Sequence, residues 1–203
     1  MRISYAILAC DESVELEKLL PFLQEHKNEG DEIVVMLDDN NYTAMVDEVV
    51  GKYADRVAYR KLDRDFASQK NALTALCSGD YIFNIDADEI PHLNLMENLR
   101  TLLESNTDLD VLYVPRVNTV NGLTPEHVDK WGWSLNNKGW VNWPDWQMRI
   151  YRNSEDIRWK NKVHEVLYGF SAYAPLPEDE EWAIYHHKNI SRQEKQNNFY
   201  DTI

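Results

Sequence analysis

Hydrophobic residues in the first half of the chain follow two patterns in turn, one typical of strands and one of helices. Residues 3–10 are mostly apolar, as expected of a strand that is buried on both faces. Residues 13–25 carry Leu16, Leu19, Leu20 and Leu23 at the spacing of one helix face. Strands that alternate with helices indicate a parallel sheet in an α/β fold. The same alternation predicts further strands at 31–37, 56–59 and 81–85, and further helices at 43–53 and 66–77.

The last of these helices is expected to end at Ser78-Gly79, with Gly79 in the left-handed conformation that closes many helices. The pattern becomes less regular after Pro91. A long glycine-containing stretch follows a predicted strand at 111–114, and such a stretch in a compact domain is usually a functional loop. The remaining predicted elements are a helix at 93–104, strands at 147–151 and 163–168, and a terminal helix at 191–202.

Composition narrows the function classes. A chain of 203 residues with 43% hydrophobic content can bury one substantial core, so we expect a single domain. The formal net charge of -14 would repel a nucleic-acid backbone, which excludes nucleic acid as an expected partner. The same charge favours a divalent cation, because an anionic ligand would need local neutralisation before it could bind.

Cysteine usage and apolar run length bear on the compartment. Cys10 and Cys77 lie in apolar segments and are expected to be free, buried thiols in a reducing environment. No apolar run approaches the roughly 18 residues that a membrane span needs, and residues 1–9 read as a strand rather than a signal sequence. These features favour a cytoplasmic protein without a transmembrane segment.

Two carboxylates, Asp86 and Asp88, follow the predicted strand at 81–85. Ligands of open parallel sheets bind at the carboxyl ends of the strands, so a loop there can direct both side chains at one cation. Hard oxygen ligands suit Mg²⁺ or Mn²⁺, either of which could bridge the two phosphates of a nucleotide diphosphate. The alternative is a solvated acidic turn.

Two longer stretches carry a resemblance to a known family. Residues 65–73 read DFASQKNAL, and residues 78–89 read SGDYIFNIDADE. In order, spacing and predicted structure they resemble family 2 glycosyltransferases with the A-type fold, and they look like the branch that includes lipopolysaccharide-core glucosyltransferases. The resemblance implies one Rossmann-like α/β domain with a mostly parallel central sheet and a small acceptor-side subregion. Residues of about 1–92 would bind the nucleotide sugar, and residues of about 93–203 would bind the acceptor.

The resemblance also implies a donor site. The backbone at Ala9 and Asp11 would flank the base, and Asp38 or Asp39 could accept hydrogen bonds from uracil or ribose. Turn or cap roles are the alternative for both aspartates. Lys70, near a helix start, could pair with phosphate or be solvated. The remaining implied contacts are Asn71, which could equally be a helix-surface amide, together with Asp86 and Ala87.

In the second half, residues 143–152 (WPDWQMRIYR) resemble the family segment that supplies the general base, which makes Asp145 the candidate. A structural aspartate at a turn is the alternative. Residues 162–166 (KVHEV) also resemble the family, and His164 could be a third metal ligand or a diphosphate contact, or could be hydrogen-bonded within the fold. Asp88 is expected to bind the metal directly, Asp86 to meet ribose or metal through water, and Glu89 to support the loop. His186 and His187 would lie on opposite faces of a strand, so they are left out of the metal site.

Tryptophans concentrate around Asp145, and indole rings pack well on sugar rings. They favour an acceptor site, although each one could instead fill the core. The group comprises Trp131, Trp133, Trp140, Trp143 and Trp146.

The resemblance, together with Asp145 as a plausible base, implies a metal-dependent, inverting glycosyltransferase. It would use Mn²⁺ or Mg²⁺ to move a hexose from a UDP-sugar to a hydroxyl acceptor such as a glycan or lipopolysaccharide. A sugar-1-phosphate nucleotidyltransferase would instead need a glycine-rich loop after the first strand, where Asp11-Glu12 stand. A non-catalytic carbohydrate-binding domain would explain the tryptophans but not paired aspartates at the end of a parallel sheet.

Overall fold

A seven-stranded sheet forms the centre of the fold in the computed structural model, which describes the backbone of residues 1–200 and the side chains of residues 1–195. The strand order is β11-β6-β8-β4-β1-β2-β3, and β8 runs antiparallel to its neighbours. The described strands are β1 Ile3–Ala9, β2 Glu32–Leu37, β3 Arg56–Tyr59, β4 Tyr81–Asp86, β5 Glu89–Pro91, β6 Val111–Val114, β7 Arg116–Asn121, β8 Gln147–Arg152, β9 Arg158–Lys160, β10 Val166–Tyr168, β11 Tyr173–Pro175 and β12 Ile184–Asn189.

Helices cover both faces of this sheet. Alternating residues of each strand point to opposite faces, so Ile3, Tyr5 and Ile7 pack with α1, α2 and α4, while Ala6 packs with α3. The β9–β10 hairpin packs on the same face as α3. None of the helices in residues 1–200 is both long and apolar enough to cross a membrane. The described helices are α1 Ser13–His26, α2 Ala44–Tyr53, α3 Phe66–Thr74, α4 Leu93–Ser105, α5 Pro125–Trp131 and α6 Ile190–Tyr200, with a short 3-10 helix at Glu180–Trp182.

A second, three-stranded sheet has the order β5-β12-β7 and lies beside the end of β4. Its strand β5 begins directly after Asp88, so the loop that joins β4 to β5 is held between the two sheets. β12 is the central strand and leads into α6. This small sheet therefore brings residues from near the end of the chain to the acidic loop.

The predicted α/β architecture with a mostly parallel sheet is confirmed. Side-chain caps fix two helix starts, since Thr43 accepts a hydrogen bond from the Val46 amide at 3.2 Å and Asp65 from the Ser68 amide at 2.9 Å. The stretch expected to be a loop contains β7 and α5. The strand expected at 163–168 is shorter, because His164 has a φ of 52° and β10 begins only at Val166. The end of the terminal helix, expected at residue 202, lies outside the described residues.

Gly79 does not close a helix as expected. The helix α3 ends earlier, at Thr74, and Gly79 is not among the glycines with positive φ. Gly79 instead lies against β1, where an added Cβ would be 2.7 Å from the amide nitrogen of Ser4 and 2.9 Å from the carbonyl carbon of Ile3. Both are backbone atoms, so a side chain there would push β1 away from the chain segment that leads into β4.

We therefore expect Gly79→Ala to lower the free energy of unfolding by about 1–3 kcal/mol, the usual cost of overpacking. Gly51→Ala is the matched control, because Gly51 lies in α2 with no atom within 4 Å of its added Cβ. That change should raise the free energy of unfolding by about 0.4–1 kcal/mol. Chemical denaturation of both variants measures the difference, and equal effects would contradict the close approach at Gly79.

Candidate functional site

The guanidinium of Arg149, on β8, joins two carboxylates of the acidic loop. It hydrogen-bonds both oxygens of Asp86, and one of its nitrogens also lies 2.5 Å from Oε1 of Glu89. Glu89 is fully buried, and its Oε2 accepts a hydrogen bond from the Asp86 amide at 3.1 Å. Glu89 thus supports the loop, as expected, while Arg149 aligns β8 with the end of β4.

The buried charges of this group stabilise one another. Burial alone would raise the pKa of Asp86, but Arg149, Lys70 and Arg116 hold the pKa of that carboxyl far below its usual range. Burial would likewise lower the pKa of Arg149, but the carboxylates of Asp86 and Glu89 outweigh this effect and raise the pKa above its usual range. The carboxylate of Asp86 is therefore ionised at neutral pH and accepts hydrogen bonds.

Arg116, at the start of β7, extends the same network to Asp145. Its NH1 lies 3.1 Å from Oε1 of Glu89, and its Nε and NH2 donate to Oδ2 of Asp145 at 2.8 and 2.6 Å. Asn118 and Gln147 also donate to Asp145, at 2.7 and 2.9 Å. Burial opposes ionisation of Asp145, but Arg116 and these donors lower its pKa. The carboxylate is ionised at neutral pH, which is the state that can accept a proton.

Asp88 faces basic side chains of the second sheet. Its Oδ2 lies 3.4 Å from Nε2 of His186, 3.9 Å from Nζ of Lys188 and 3.8 Å from NH2 of Arg192. Burial would raise the pKa of Asp88, but His186 and Lys188 lower it to about 2. Asp88 thus belongs to a second cluster of opposite charges beside the Arg149 cluster.

The residues present do not fit the divalent metal site that the sequence predicts. Within residues 1–195, no group of three His, Cys, Asp or Glu side chains is arranged to hold a metal ion. Asp86 is already paired with Arg149, and the charged groups of Lys188 and Arg192 lie within 4.0 Å of Asp88. His164 does not complete the set, since it is exposed on an irregular turn rather than on the expected strand. A metal ion at Asp88 would be repelled by the nearby basic side chains.

The carboxyl ends of β1 and β2 form the edge where a nucleoside is expected. Ala9 and Asp38 are joined by a backbone hydrogen bond of 3.0 Å, and Asp11 and Asp39 are exposed beside them. Asp38 itself is buried and accepts hydrogen bonds from the Leu62 amide at 3.1 Å and the Asn41 side chain at 2.6 Å. The side chain of Asp38 therefore shapes the loop after β2, which leaves Asp39 and Asp11 with their carboxylates in solvent.

Two residues of α3 make contacts other than those expected. Nζ of Lys70 is buried 2.7 Å from Oε1 of Glu165 and 4.5 Å from the centroid of the Trp159 ring. Both polar atoms of the Asn71 side chain bond the backbone of Trp159, at 2.8 and 2.9 Å. These contacts fasten the β9–β10 hairpin to α3. Lys70 still acts electrostatically on Asp86, whereas the Asn71 amide is committed to the fold.

The tryptophans separate into two pairs. The rings of Trp131 and Trp133 lie 4.7 Å apart, and those of Trp140 and Trp143 lie 4.9 Å apart. The second pair lines a cavity with a volume of about 630 Å³. Polar groups complete its wall, among them His92, Asn136, Lys138 and Glu180. Asp145 follows Trp143 by two residues, so the cavity adjoins the segment that carries this carboxylate.

The basic residues of the site were not predicted from the sequence. Arg149 stands in the segment that was singled out for Asp145, and its position on an apolar strand between Met148 and Ile150 was a signal for a buried, paired cation. His186 and Lys188 are two residues apart on β12, the spacing that places side chains on one face of a strand. Arg116 and Arg192 had no comparable signal.

The model of the family described as "Glycosyl transferase family 2" matches residues 4–175. No curated protein matches the chain. The fold is similar to that of TarS from S. aureus. A TarS 1-349 structure in complex with UDP has a TM-score of 0.67 at 15% identity, over 92% of this chain and 60% of that one.

Two further TarS structures are similar. TarS 1-349 in complex with UDP-GlcNAc has a TM-score of 0.63 at 16% identity and covers 93% of this chain and 59% of that one. A longer TarS structure has a TM-score of 0.63 at 14% identity and covers 92% of this chain and 37% of that one. The chain thus spans between about a third and three fifths of the solved structures it matches, and the likeness shows the fold.

The Arg149 network generates a stability prediction. Arg149→Met should lower the free energy of unfolding by about 3–5 kcal/mol, because it leaves Asp86 and Glu89 without the cation that stabilises their buried charges. Arg158→Met is the control, since Arg158 is exposed and hydrogen-bonds only backbone carbonyls; a change within about 0.5 kcal/mol is expected there. Denaturant titration of both variants measures their free energies of unfolding. A loss in Arg149→Met no larger than that in Arg158→Met would contradict the central role of the Arg149 ion pairs.

Proposed function

The chain belongs to glycosyl transferase family 2, and we propose that it transfers a hexose from a UDP-sugar to a hydroxyl group of a carbohydrate acceptor. A glycan or lipopolysaccharide is the proposed acceptor class, in keeping with the lipopolysaccharide-core glucosyltransferase-like motifs of the sequence. The observation that carries the proposal is the continuous network from Asp86 through Arg149, Glu89 and Arg116 to Asp145. It joins the proposed donor loop to the proposed base.

On the donor side, the nucleoside would lie at the carboxyl ends of β1 and β2. The backbone at Ala9 and Asp11 would flank the uracil, and the exposed carboxylate of Asp39 would accept hydrogen bonds from the uracil imide or the ribose. Asp38 would hold the shape of this edge through its loop contacts. Because the similar TarS structures are complexes with UDP and UDP-GlcNAc, uridine donors are the first to test.

The diphosphate and sugar would follow across the end of β4, beside Asp86, Ala87 and Asp88. Lys70 would contribute its positive charge from behind Asp86 rather than by direct contact. Asn71 would act indirectly, by fixing the β9–β10 hairpin on α3. His164, exposed on the neighbouring turn, remains a proposed diphosphate contact.

On the acceptor side, Asp145 would take the proton of the attacking hydroxyl as its oxygen bonds to the anomeric carbon and the UDP leaves. Attack from the side opposite the leaving group inverts the anomeric configuration. Arg116, Asn118 and Gln147 would orient the carboxylate and keep it ionised. The cavity lined by Trp140 and Trp143 would bind an acceptor sugar by packing against indole, with polar groups around it for the hydroxyls.

The contacts of the acidic loop do not support the expected dependence on Mn²⁺ or Mg²⁺. Asp86 is paired with Arg149, the charged groups of Lys188 and Arg192 lie within 4.0 Å of Asp88, and no group of three His, Cys, Asp or Glu side chains in residues 1–195 is arranged to hold a metal ion. No step of the proposed reaction is therefore assigned to a metal ion.

A donor screen tests the proposal. The protein is incubated with UDP-, GDP- and dTDP-hexoses, with and without a mixture of oligosaccharide acceptors, and the released nucleotide is identified. UDP release from a UDP-hexose, increased by acceptor, is the expected result. Pyrophosphate release would indicate a nucleotidyltransferase instead, and the absence of any nucleotide release would contradict the proposal.

Asp145→Asn should lower the transfer rate by about 10²–10⁴-fold, the usual contribution of a general base, while UDP binding is retained. Asp129→Asn is the matched control, because Asp129 is exposed on α5 and the same isosteric change there should leave transfer unaltered. Single-turnover rates and calorimetric UDP binding measure the two effects. If Asp145→Asn transfers the sugar at the wild-type rate, Asp145 is not the general base.

A further inference from the structure

His186 is a buried histidine on β12, and both of its ring nitrogens face polar groups of the site. Its side chain is 9% exposed, and the pairing of β12 with β7 places it directly beside Asn118. Nδ1 lies 2.8 Å from Oδ1 of Asn118, and Nε2 lies 3.4 Å from Oδ2 of Asp88. Residue 186 is beyond residues 4–175, so the family match assigns no role to it.

The chemistry of the neighbouring groups sets the direction of the hydrogen bonds around Asn118. The ionised carboxylate of Asp145 accepts hydrogen bonds but cannot donate them. The Asn118 atom that lies 2.7 Å from it must therefore be the amide nitrogen. The amide oxygen of Asn118 then faces His186, and because this oxygen only accepts, Nδ1 of His186 must carry a proton.

The two oxygens of Asp145 have different surroundings. Oδ2 accepts three hydrogen bonds, two from Arg116 and one from Asn118. The one hydrogen bond to Oδ1 among the described residues comes from Gln147, at 2.9 Å. Three donors leave Oδ2 little capacity to take a further proton, so Oδ1 is the oxygen that would accept the proton of an attacking hydroxyl.

The position of Oδ1 depends on how firmly Oδ2 is held. Arg116 directs two of its nitrogens to the same oxygen, so the carboxylate of Asp145 could still turn about that contact. The amide of Asn118 restrains this rotation from a second strand position. If the amide turned over, its oxygen would face Oδ2, and two acceptors would repel each other at hydrogen-bonding distance. The hydrogen bond from His186 opposes that reversal.

We infer that His186 is a positioning residue for the proposed general base: its Nδ1 proton holds the amide of Asn118, and that amide directs Oδ1 of Asp145 toward the attacking hydroxyl. This inference rests on the proposed function. The hydroxyl proton passes to Oδ1 as the hydroxyl oxygen bonds to the anomeric carbon and the bond from that carbon to the UDP oxygen breaks. His186 exchanges no proton in this step.

Two substitutions separate the roles of the two ring nitrogens. The amide of His186→Asn can donate from near the position of Nδ1, whereas the amide of His186→Gln lies near the position of Nε2. We expect His186→Gln to lower kcat by about 10- to 100-fold, because a misplacement of about 1 Å costs up to about 10²-fold. KM for the UDP-hexose should stay near its wild-type value, since the loss is confined to the transition state. His186→Asn should retain most of the wild-type kcat.

The rates are measured as UDP release, with the UDP-hexose and the oligosaccharide mixture that are active in the donor screen. His187→Gln is the matched control, because it makes the same change at the next residue of β12, which is exposed on the opposite face. Its kcat should equal that of the wild type.

A double variant separates positioning from a general effect on folding. In the Asp145→Asn background, His186→Gln should cause no further loss of kcat, because the group through which it acts has been removed. A folding defect would lower the rate in both backgrounds. If His186→Gln does not fold, His186→Ala takes its place in both backgrounds.

Nitrogen-15 NMR of the histidine rings provides a measurement that needs no turnover. The ring signals of His186 are identified by their loss in His186→Asn. We expect a protonated Nδ1 in the wild type at neutral pH, hydrogen-bonded to Asn118. An unprotonated Nδ1 would overturn the inference, whatever the rates show.

The kinetic outcomes separate this inference from the proposed function. A kcat in His186→Gln equal to that in His187→Gln, or equal losses with and without Asp145, would overturn the inference and leave the transferase intact. The absence of UDP release by the wild type from any UDP-hexose would remove the proposed function, and the inference with it.

Discussion

The burial of Arg149 is the constraint on which the rest of the site depends. A guanidinium on β8 can be buried only if carboxylates face it, and Asp86 and Glu89 do so from the loop after β4. Because Glu89 also binds Arg116, the same contact extends across to Asp145 on the far side of the loop. The positions of these five charged groups are thus mutually dependent, and displacing one of them would leave a neighbouring charge without its partner.

Although the protein as a whole is acidic, the charges around the acidic loop are balanced. The chain carries a net charge of -14, yet every carboxylate of the acidic loop meets a basic side chain. The core sheet supplies Arg149, and the small sheet β5-β12-β7 supplies Arg116, His186 and Lys188. The two sheets together therefore supply the basic side chains that balance the charge of the acidic loop.

Sequence reasoning succeeded where hydrophobic burial determines structure. The strands β1, β2 and β4 are buried on both faces, so their apolar runs could be recognised directly, and the acidic motif followed from its place at the end of β4. The elements β7 and α5 were missed because β7 is half polar and α5 is short and bounded by Pro125 and Gly132. The positive φ of His164, which shortens the next strand, has no signature in a KVHEV sequence.

Contacts between distant residues were beyond a single sequence. Asn71 bonds Trp159 across 88 positions, and Arg149 bonds Asp86 across 63. Local sequence patterns encode neither contact. The contact of Asn71 depends on how the β9–β10 hairpin packs on α3, and the contact of Arg149 depends on how the antiparallel strand β8 aligns with β4. The basic residues around Asp88 were not predicted for the same reason. The sequence therefore contained no indication that basic side chains of the chain balance the charge of the loop.

The central claim is that the edge formed by β1, β2 and β4 binds a nucleotide diphosphate between carboxylates and basic side chains. A crystal structure of the protein with UDP, grown in EDTA, tests it most directly. The account predicts uridine beside Ala9, Asp11 and Asp39, with the diphosphate over the end of β4. UDP bound elsewhere, such as in the cavity beside Trp140, or a diphosphate remote from the loop that follows β4, would contradict it.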